Sequence, residues 1–289
     1  MKAIIWGHKL HSHTHSYIHN AFHRAFQHLG YETHWFDDSD DVSGFNFSDS
    51  LFITEGQVCK NMPIIKGSKY VLHNCYDEAM WNKIKDENIK YLKLQTYTDD
   101  VLKYNADKIE EGIYFGGDML YSIWATDLLP DEIILDETPK TDISWWVGTM
   151  GKGKFGNMNE LNGFKRACKR NSIQFCHANN LSIEENRAKI RESYLAPAIV
   201  GTWQKEKGYV PCRIFKNISY GQIGLTNSKA TKIVLGDHVI YSPDEYQLFS
   251  LGEEALRASD YKEKLIAAMN FVKENHTYIN RINTILKFV

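Results

Sequence analysis

The sequence has few of the features that assign a protein quickly. Its five cysteines, Cys59, Cys75, Cys168, Cys176 and Cys212, are odd in number and form no Cys-x-x-Cys pair. That argues against a disulfide framework or a structural zinc site, and for reduced thiols in a cytoplasmic protein. Neither charge is in excess. Lys and Arg number 34 against 36 Asp and Glu, a formal net charge of −2, so nucleic acid is not an expected partner. No apolar run approaches the roughly 18–20 residues that a membrane span needs. The opening MKAIIWGHKL lacks the apolar length of a signal peptide and is expected to be a buried first strand. There is no short fixed-period repeat and no low-complexity tract. What remains is a 289-residue chain, 43% hydrophobic and 13% aromatic, long enough for two ordinary α/β domains.

Two halves each begin with an apolar strand that runs into an unusual loop. The first has Lys2–Trp6, then GHKLHSHTHS, then a helix near Tyr17–Leu29 that Gly30 stops. Ser50–Thr54 and Tyr70–His73 are expected to be buried strands, and Tyr91–Thr96 and Gly112–Phe115 weaker ones. The second half restarts at Ile143–Val147 (ISWWV), after an acidic, proline-containing stretch that suits a linker near residue 140. It continues with GTMGKGKFGN, a helix over about Met158–Arg170, strands at Ile173–Cys176, Ala196–Val200, Gln222–Leu225 and Val239–Tyr241, and helices at Leu248–Ala258 and Tyr261–Leu286. Short strands alternating with helices predict parallel sheets.

The stretch Val210–Ser228 carries the most chemical information. Pro211 can open a helix and Gly221 can close it. Between them Arg213, Lys216, Asn217 and Tyr220 fall at i, i+3, i+4 and i+7, on one helical face, while Ile214, Phe215 and Ile218 cover the other. Two cations beside an amide and a phenol suit a nucleotide diphosphate; a solvated surface helix is the plain alternative. Upstream, Gly148, Gly151, Gly153 and Gly156 lie within nine residues, with Thr149, Lys152 and Lys154 among them. Such a loop between strand and helix can bring backbone N–H groups to phosphates, or it can be a surface turn. Thr226, Asn227 and Ser228 stand at a helix start, where they either face phosphate or cap the helix. Glu245, with Asp244 as its competitor, could hold a ribose hydroxyl pair, or be a solvated turn charge.

Eight of the twelve histidines fall at positions 8, 11, 13, 15, 19, 23, 28 and 34. Their spacing matches no common zinc site, and no metal is expected. His11–His15 follow the first strand at the carboxyl edge of a parallel sheet, where open α/β sheets bind ligands. A neutral imidazole there, His13 or His15, could act as a general base. Glu55 and Asp77, each at the end of a strand, compete for that role, with plain loop carboxylates as the alternative. Tyr76, Trp81, Trp145 and Trp146 could stack on sugar or base, though the adjacent Trp145 and Trp146 better suit a core strand.

Three segments, ISWWVGTM at 143–150, YVPCRIFKNISYG at 209–221 and NHTYINRINTIL at 275–286, resemble the glycosyltransferases of two Rossmann-like domains (GT-B type), most closely the spore-maturation-type group 1 enzymes of bacteria and large viruses. The resemblance implies two parallel-sheet domains facing a central cleft. An acceptor domain would span 1–140, a nucleotide-sugar domain 141–270, and a terminal helix at 271–289 would cross back to the first. It implies transfer of a sugar from a UDP- or GDP-linked donor to a glycan hydroxyl by a monomer or homodimer. Gly148, Thr149, Lys152, Arg213, Lys216, Asn217, Tyr220, Thr226, Asn227, Ser228 and Glu245 would hold the donor. With Arg213 and Lys216 neutralising the leaving diphosphate, neither metal nor other cofactor is expected. Many retaining members carry two glutamates eight positions apart. Here Lys216 and Gly224 stand in those places, which favours an inverting displacement with a base from the first domain. A silent sugar-nucleotide or glycan-binding protein, or a sugar-nucleotide epimerase, is the alternative on the same fold.

Overall fold

The computed structural model describes residues 1–56, 58–73, 78–97, 113–136 and 138–289, without the side chains of 78–81 and 113–115. The chain divides into two compact units. Among the described residues the first comprises 1–56, 58–73, 78–96, Ile113–Ser122 and Tyr278–Val289; the second comprises Tyr97 and the described part of Ile123–Thr277. The expected boundary near residue 140 thus falls inside the second unit.

The first unit is built on a sheet of β1 (Lys2–Trp6), β2 (Thr33–Phe36), β3 (Ser50–Glu55), β4 (Lys69–His73), β5 (Tyr91–Gln95), β6 (Ile113–Gly116) and β7 (Met119–Ser122). Their order is β2-β1-β3-β4-β5-β7-β6, parallel throughout except for the β6–β7 hairpin at one edge. A central parallel strand is covered on both faces and so is apolar without alternation. That is why Ser50–Glu55 is buried at every position. Alternate residues Ile4 and Trp6, Tyr70 and Leu72 join Phe52 in one core cluster. Helix α1 (Ser16–His28) buries Ile18, Phe22 and Phe26 at i, i+4 and i+8. Phe22 meets Tyr278 edge-to-face, with centroids 4.7 Å apart.

The second unit holds two parallel groups of strands. One is β8 (Ile143–Val147) with β9 (Gln174–Ala178); the other is β10 (Pro197–Ala198), β11 (Gly224–Thr226) and β12 (Val239–Tyr241), in that order. Helix α2 (Glu78–Asp86) belongs to the first unit; α3 (Met158–Arg170), α4 (Ile183–Glu192), α5 (Thr202–Glu206), α6 (Cys212–Ser219), α7 (Lys229–Leu235), α8 (Glu245–Arg257) and α9 (Tyr261–Asn275) belong to the second. Leu161, Phe164 and Cys168 of α3 pack with Leu248 and Phe249 of α8, and with Trp146 and Leu225, in one core.

The single helix expected over Tyr261–Leu286 is two, α9 and α10 (Tyr278–Ile285). The break has a cause. The His276 carbonyl accepts the Thr126 N–H at 3.0 Å, and Thr126 and Thr277 form an isolated parallel bridge. Backbone that pairs sideways there cannot continue the helix. Among the described residues no helix is long and apolar enough to cross a membrane.

Candidate active site

In the second unit β8 ends at the glycine loop. Gly148, at φ +104°, lies against the Arg213 guanidinium: a Cβ there would sit 3.1 Å from Nη2. Arg213 stacks on the Trp146 ring at 3.7 Å and donates to the Val147 carbonyl. Burial pulls its pKa down to about 10, still cationic near neutrality. Thr149 accepts the Trp146 indole N–H through its carbonyl at 3.2 Å. Beyond it the loop is packed backbone against backbone. A Cβ on Gly156 would lie 2.1 Å from the Gly151 carbonyl oxygen, and one on Gly201 1.8 Å from that of Gly156. The Gly151 carbonyl also accepts the N–H groups of Asn157 and Met158, each at 3.1 Å. This folded loop, the start of α3 and α5 line a cavity of about 570 Å³, with Lys152, Lys154, Asn159 and Trp203 in its wall. Lys152 and Lys154 are exposed.

The polar face of α6 turns largely onto the protein itself. Lys216 pairs with Asp127 at 2.8 Å, and the Tyr220 hydroxyl donates to the other Asp127 oxygen at 2.7 Å. Burial, then the Asp127 charge, raises the Tyr220 pKa well above 10. Buried Asn217 donates to the Ala196 carbonyl at 2.8 Å. These contacts account for the stripe as a network that ties the Ile123–Leu128 stretch to α6. Asp127→Asn keeps an acceptor for Tyr220 but removes the charge facing Lys216. It is expected to cost about 2 kcal/mol, read as a lowered urea midpoint with an unchanged slope.

The remaining expected donor residues are placed with equal clarity. Thr226 is buried, and its hydroxyl reaches the Ala198 carbonyl at 3.4 Å. Asn227 pairs with both backbone groups of Val200 and donates to Glu245 at 2.7 Å. Ser228 caps α7 by accepting the Thr231 N–H. Asp244 caps α8, accepting from Tyr246 and Gln247, whereas Glu245 keeps an oxygen 3.6 Å from the Lys205 ammonium. Trp146 is core, and Trp145 donates to Glu192 at 2.9 Å under the Lys189 ammonium.

In the first unit the strand register assembles a site that spacing alone does not reveal. Trp6 pairs with Thr54 and Glu55 with His73, so His8, Glu55 and His73 emerge together at the carboxyl edge of β1, β3 and β4. The loop after β1 folds over them, with His11 at φ +70° and the Ser16 hydroxyl donating to the His13 carbonyl at 2.6 Å. The result is a carboxylate ringed by imidazoles. His15 Nδ1 is hydrogen-bonded to Glu55 Oε1, and His8 and His19 hold Nε2 atoms 3.9 and 3.8 Å from Oε2. Gly7 is required for this: a Cβ there would lie 2.2 Å from the His19 ring. Burial works against the Glu55 charge, but the His15 hydrogen bond and the charges of His15, His19 and His8 outweigh it and hold the carboxyl below its ordinary value. Burial pulls His19 down to about 4 and His73 well below the imidazole range, so both are neutral near pH 7. His13 is lowered too, by burial and then by the neighbouring His15 and His8. His13, His15 and Glu55 are thus brought together as candidates. Asp77 and Tyr76 lie outside the described residues, as does the Trp81 side chain.

One Asp-x-Asp triplet, Asp38-Ser39-Asp40, follows β2 in the first unit. Its carboxylates are engaged: Asp38 accepts from Trp6 Nε1, Lys60 N and Asn61 N, and Asp40 pairs with Lys9 at 2.9 Å.

No family model matches the chain, and no curated protein is similar to it in sequence. Solved structures are similar along nearly its whole length. An α-glucosyltransferase in complex with UDP-glucose and DNA containing an abasic site matches with TM-score 0.61 and 10% identity, over 98% of each chain. An α-glucosyltransferase with UDP and a 13-mer DNA containing an HMU base gives 0.53 and 11%, over 98% of this chain and 99% of the other. The T4 phage BGT with its UDP-glucose substrate gives 0.52 and 9%, over 95% of each. At such identity the shared property is the fold, the two-unit architecture of GT-B glycosyltransferases. The expectations of a glycan acceptor and of no nucleic-acid partner are overturned by these structures, two of which hold DNA. The glycan acceptor had followed from the resemblance alone; for nucleic acid, the error lay in using net charge. A total of −2 says nothing about where cations are exposed, and phosphate contacts are local.

Proposed function

We propose that this protein is a glucosyltransferase that moves glucose from UDP-glucose to a hydroxyl carried by a DNA base. The observation that carries the reading is the His15–Glu55 pair at the carboxyl edge of the first sheet, in a fold shared along its length with UDP-glucose-dependent enzymes. With Nδ1–H directed at the Glu55 carboxylate, His15 presents the Nε2 lone pair, the atom that takes a proton from an attacking alcohol. The alcohol oxygen forms a bond to C1 of glucose as the bond from C1 to the UDP oxygen breaks. One base suffices for such a single displacement, which inverts the anomeric centre. Unmodified DNA bases carry no alcohol, so the acceptor is a hydroxymethylated base.

On the donor side, Lys152 and Lys154 of the glycine loop line the cavity and Arg213 lies beside Gly148, cations that would neutralise charge on the departing diphosphate. Lys152→Ala with Lys154→Ala is expected to weaken UDP-glucose binding by about 10–100-fold, from two lost charge-assisted contacts, measured by calorimetry without acceptor.

The reading is tested with labelled UDP-glucose and duplexes that carry hydroxymethylated or ordinary pyrimidines. Label is expected on the hydroxymethylated duplex alone. Absence of label on any DNA, with UDP-, GDP- and ADP-glucose alike, defeats it.

A further inference from the structure

Oε2 of Glu55 and Nε2 of His8 are among the polar side-chain atoms at the edge of the first sheet that are buried without a hydrogen-bond partner. Buried polar groups are almost always satisfied, and each exception needs an explanation. The Glu55 side chain is wholly inaccessible, so water in bulk does not supply one. The two atoms face each other at 3.9 Å, too far for a hydrogen bond. His13 completes the arrangement. One ligand atom each from His8, His13 and Glu55 lie within 4.8 Å of one another. The His8 and His13 rings pack with centroids 4.3 Å apart and 30° between planes. His13 Nδ1 takes only a long, 3.3 Å contact from the His15 N–H, which does not fix its tautomer firmly.

We infer that His8, His13 and Glu55 form a binding site for a divalent first-row transition metal, with zinc as the best-suited ion. Ligand atoms about 2.1 Å from a common ion stand roughly 3–4 Å apart, so the 3.9 Å between His8 Nε2 and Glu55 Oε2 already fits. Two imidazoles and one carboxylate suit zinc and its neighbours rather than magnesium or calcium, which prefer all-oxygen sets. Three protein ligands leave a fourth position open, as in sites where zinc binds water or substrate oxygen.

The surroundings support the ligands. Glu55 Oε1 is held by His15, so Oε2 is left for the ion and the carboxylate is oriented from outside. His19 Nδ1 approaches the His8 carbonyl at 3.3 Å, and its Nε2 meets His73 Nε2 at 3.2 Å, which anchors the backbone beside the His8 ring. The strand register explains why histidine spacing does not announce the site. The ligands are at positions 8, 13 and 55 and meet only because β1 and β3 are neighbours.

The test is calorimetric titration of chelator-treated, full-length protein with zinc chloride, and separately with cobalt and magnesium chlorides, with neither donor nor DNA present. One zinc per chain is expected, with cobalt also bound and magnesium not. His13→Ala, at a half-exposed position, is expected to weaken zinc by at least 100-fold without changing the melting temperature of the metal-free protein. Glu55→Gln is expected to do the same if it folds. His15→Ala, which removes only the orienting partner, should cost about 10–100-fold. Zinc binding that survives His13→Ala unchanged, or no binding at all, overturns the assignment. Because no sugar is transferred in this experiment, its outcome is separate from that of the DNA-glucosylation assay.

Discussion

Replacing His15 by alanine is expected to lower glucosyl transfer by about 10²–10⁴-fold, the range that a general base contributes, while UDP-glucose binding stays as it was. The separation follows from placement. His15 is in the first unit, whereas Gly148, Lys152 and Arg213 are in the second. A merely structural role would show itself differently. The His15 side chain makes no capping hydrogen bond to α1, and it is partly open to solvent, so its removal opens no sealed core. Because the substitution takes a hydrogen bond from the buried Glu55 carboxylate, the variant is expected to melt below the parent yet remain folded, with UDP-glucose binding retained. Added imidazole, which can occupy the vacated space and accept a proton, is expected to restore part of the turnover. Full activity in His15→Ala would remove the base from this position. Lost activity together with lost UDP-glucose binding would mean that the substitution acts through the fold.

How far the sequence could lead is visible in particular residues. The glycine loop was legible because its four glycines cluster locally in the sequence, and the structure shows Gly151 and Gly156 packed backbone against backbone while Gly148 lies against the Arg213 guanidinium. The boundaries of α6 were legible from Pro211 and Gly221 for the same local reason. What its polar stripe faces was not, because the answer is Asp127, 93 positions before Tyr220 and inside a stretch that composition marks as a linker. The first-unit site shows a similar limit. Histidine density drew attention to the loop after β1, but the carboxylate that pairs with His15 there is 40 positions away. Only strand order decides which ends of β1, β3 and β4 meet. One missed element did carry a readable signal: Ser182 and Glu185 form a reciprocal capping box at the start of α4. The break between α9 and α10 carried none, since it depends on Thr126 pairing with residues far along the chain.

Gly201→Ala is expected to damage the second unit severely, although alanine suits the local backbone. Gly201 has φ −73° and ψ 164°, which any residue adopts. The objection is purely spatial: its Cβ would lie 1.8 Å from the Gly156 carbonyl oxygen and 2.9 Å from that carbonyl carbon. Neither is the end of a flexible side chain, so relief requires the glycine loop or the start of α5 to move by an ångström or more. Gly156 cannot yield easily, because it is itself wedged against the Gly151 carbonyl. Overpacking against backbone of this kind is expected to cost about 3 kcal/mol or more, and the loop that moves is a wall of the cavity proposed for the donor. Thermal melts should therefore show a large loss of stability, and calorimetry a loss of UDP-glucose binding. Gly153→Ala provides the contrast. Gly153 has φ +75° and open space where its Cβ would be. Its cost is conformational, about 1–2 kcal/mol, and the loop should still bind donor. If both variants lose donor binding equally, the loop acts through its turn conformation. If Gly201→Ala alone loses it, the close backbone contact between Gly201 and Gly156 is what holds the donor wall in shape.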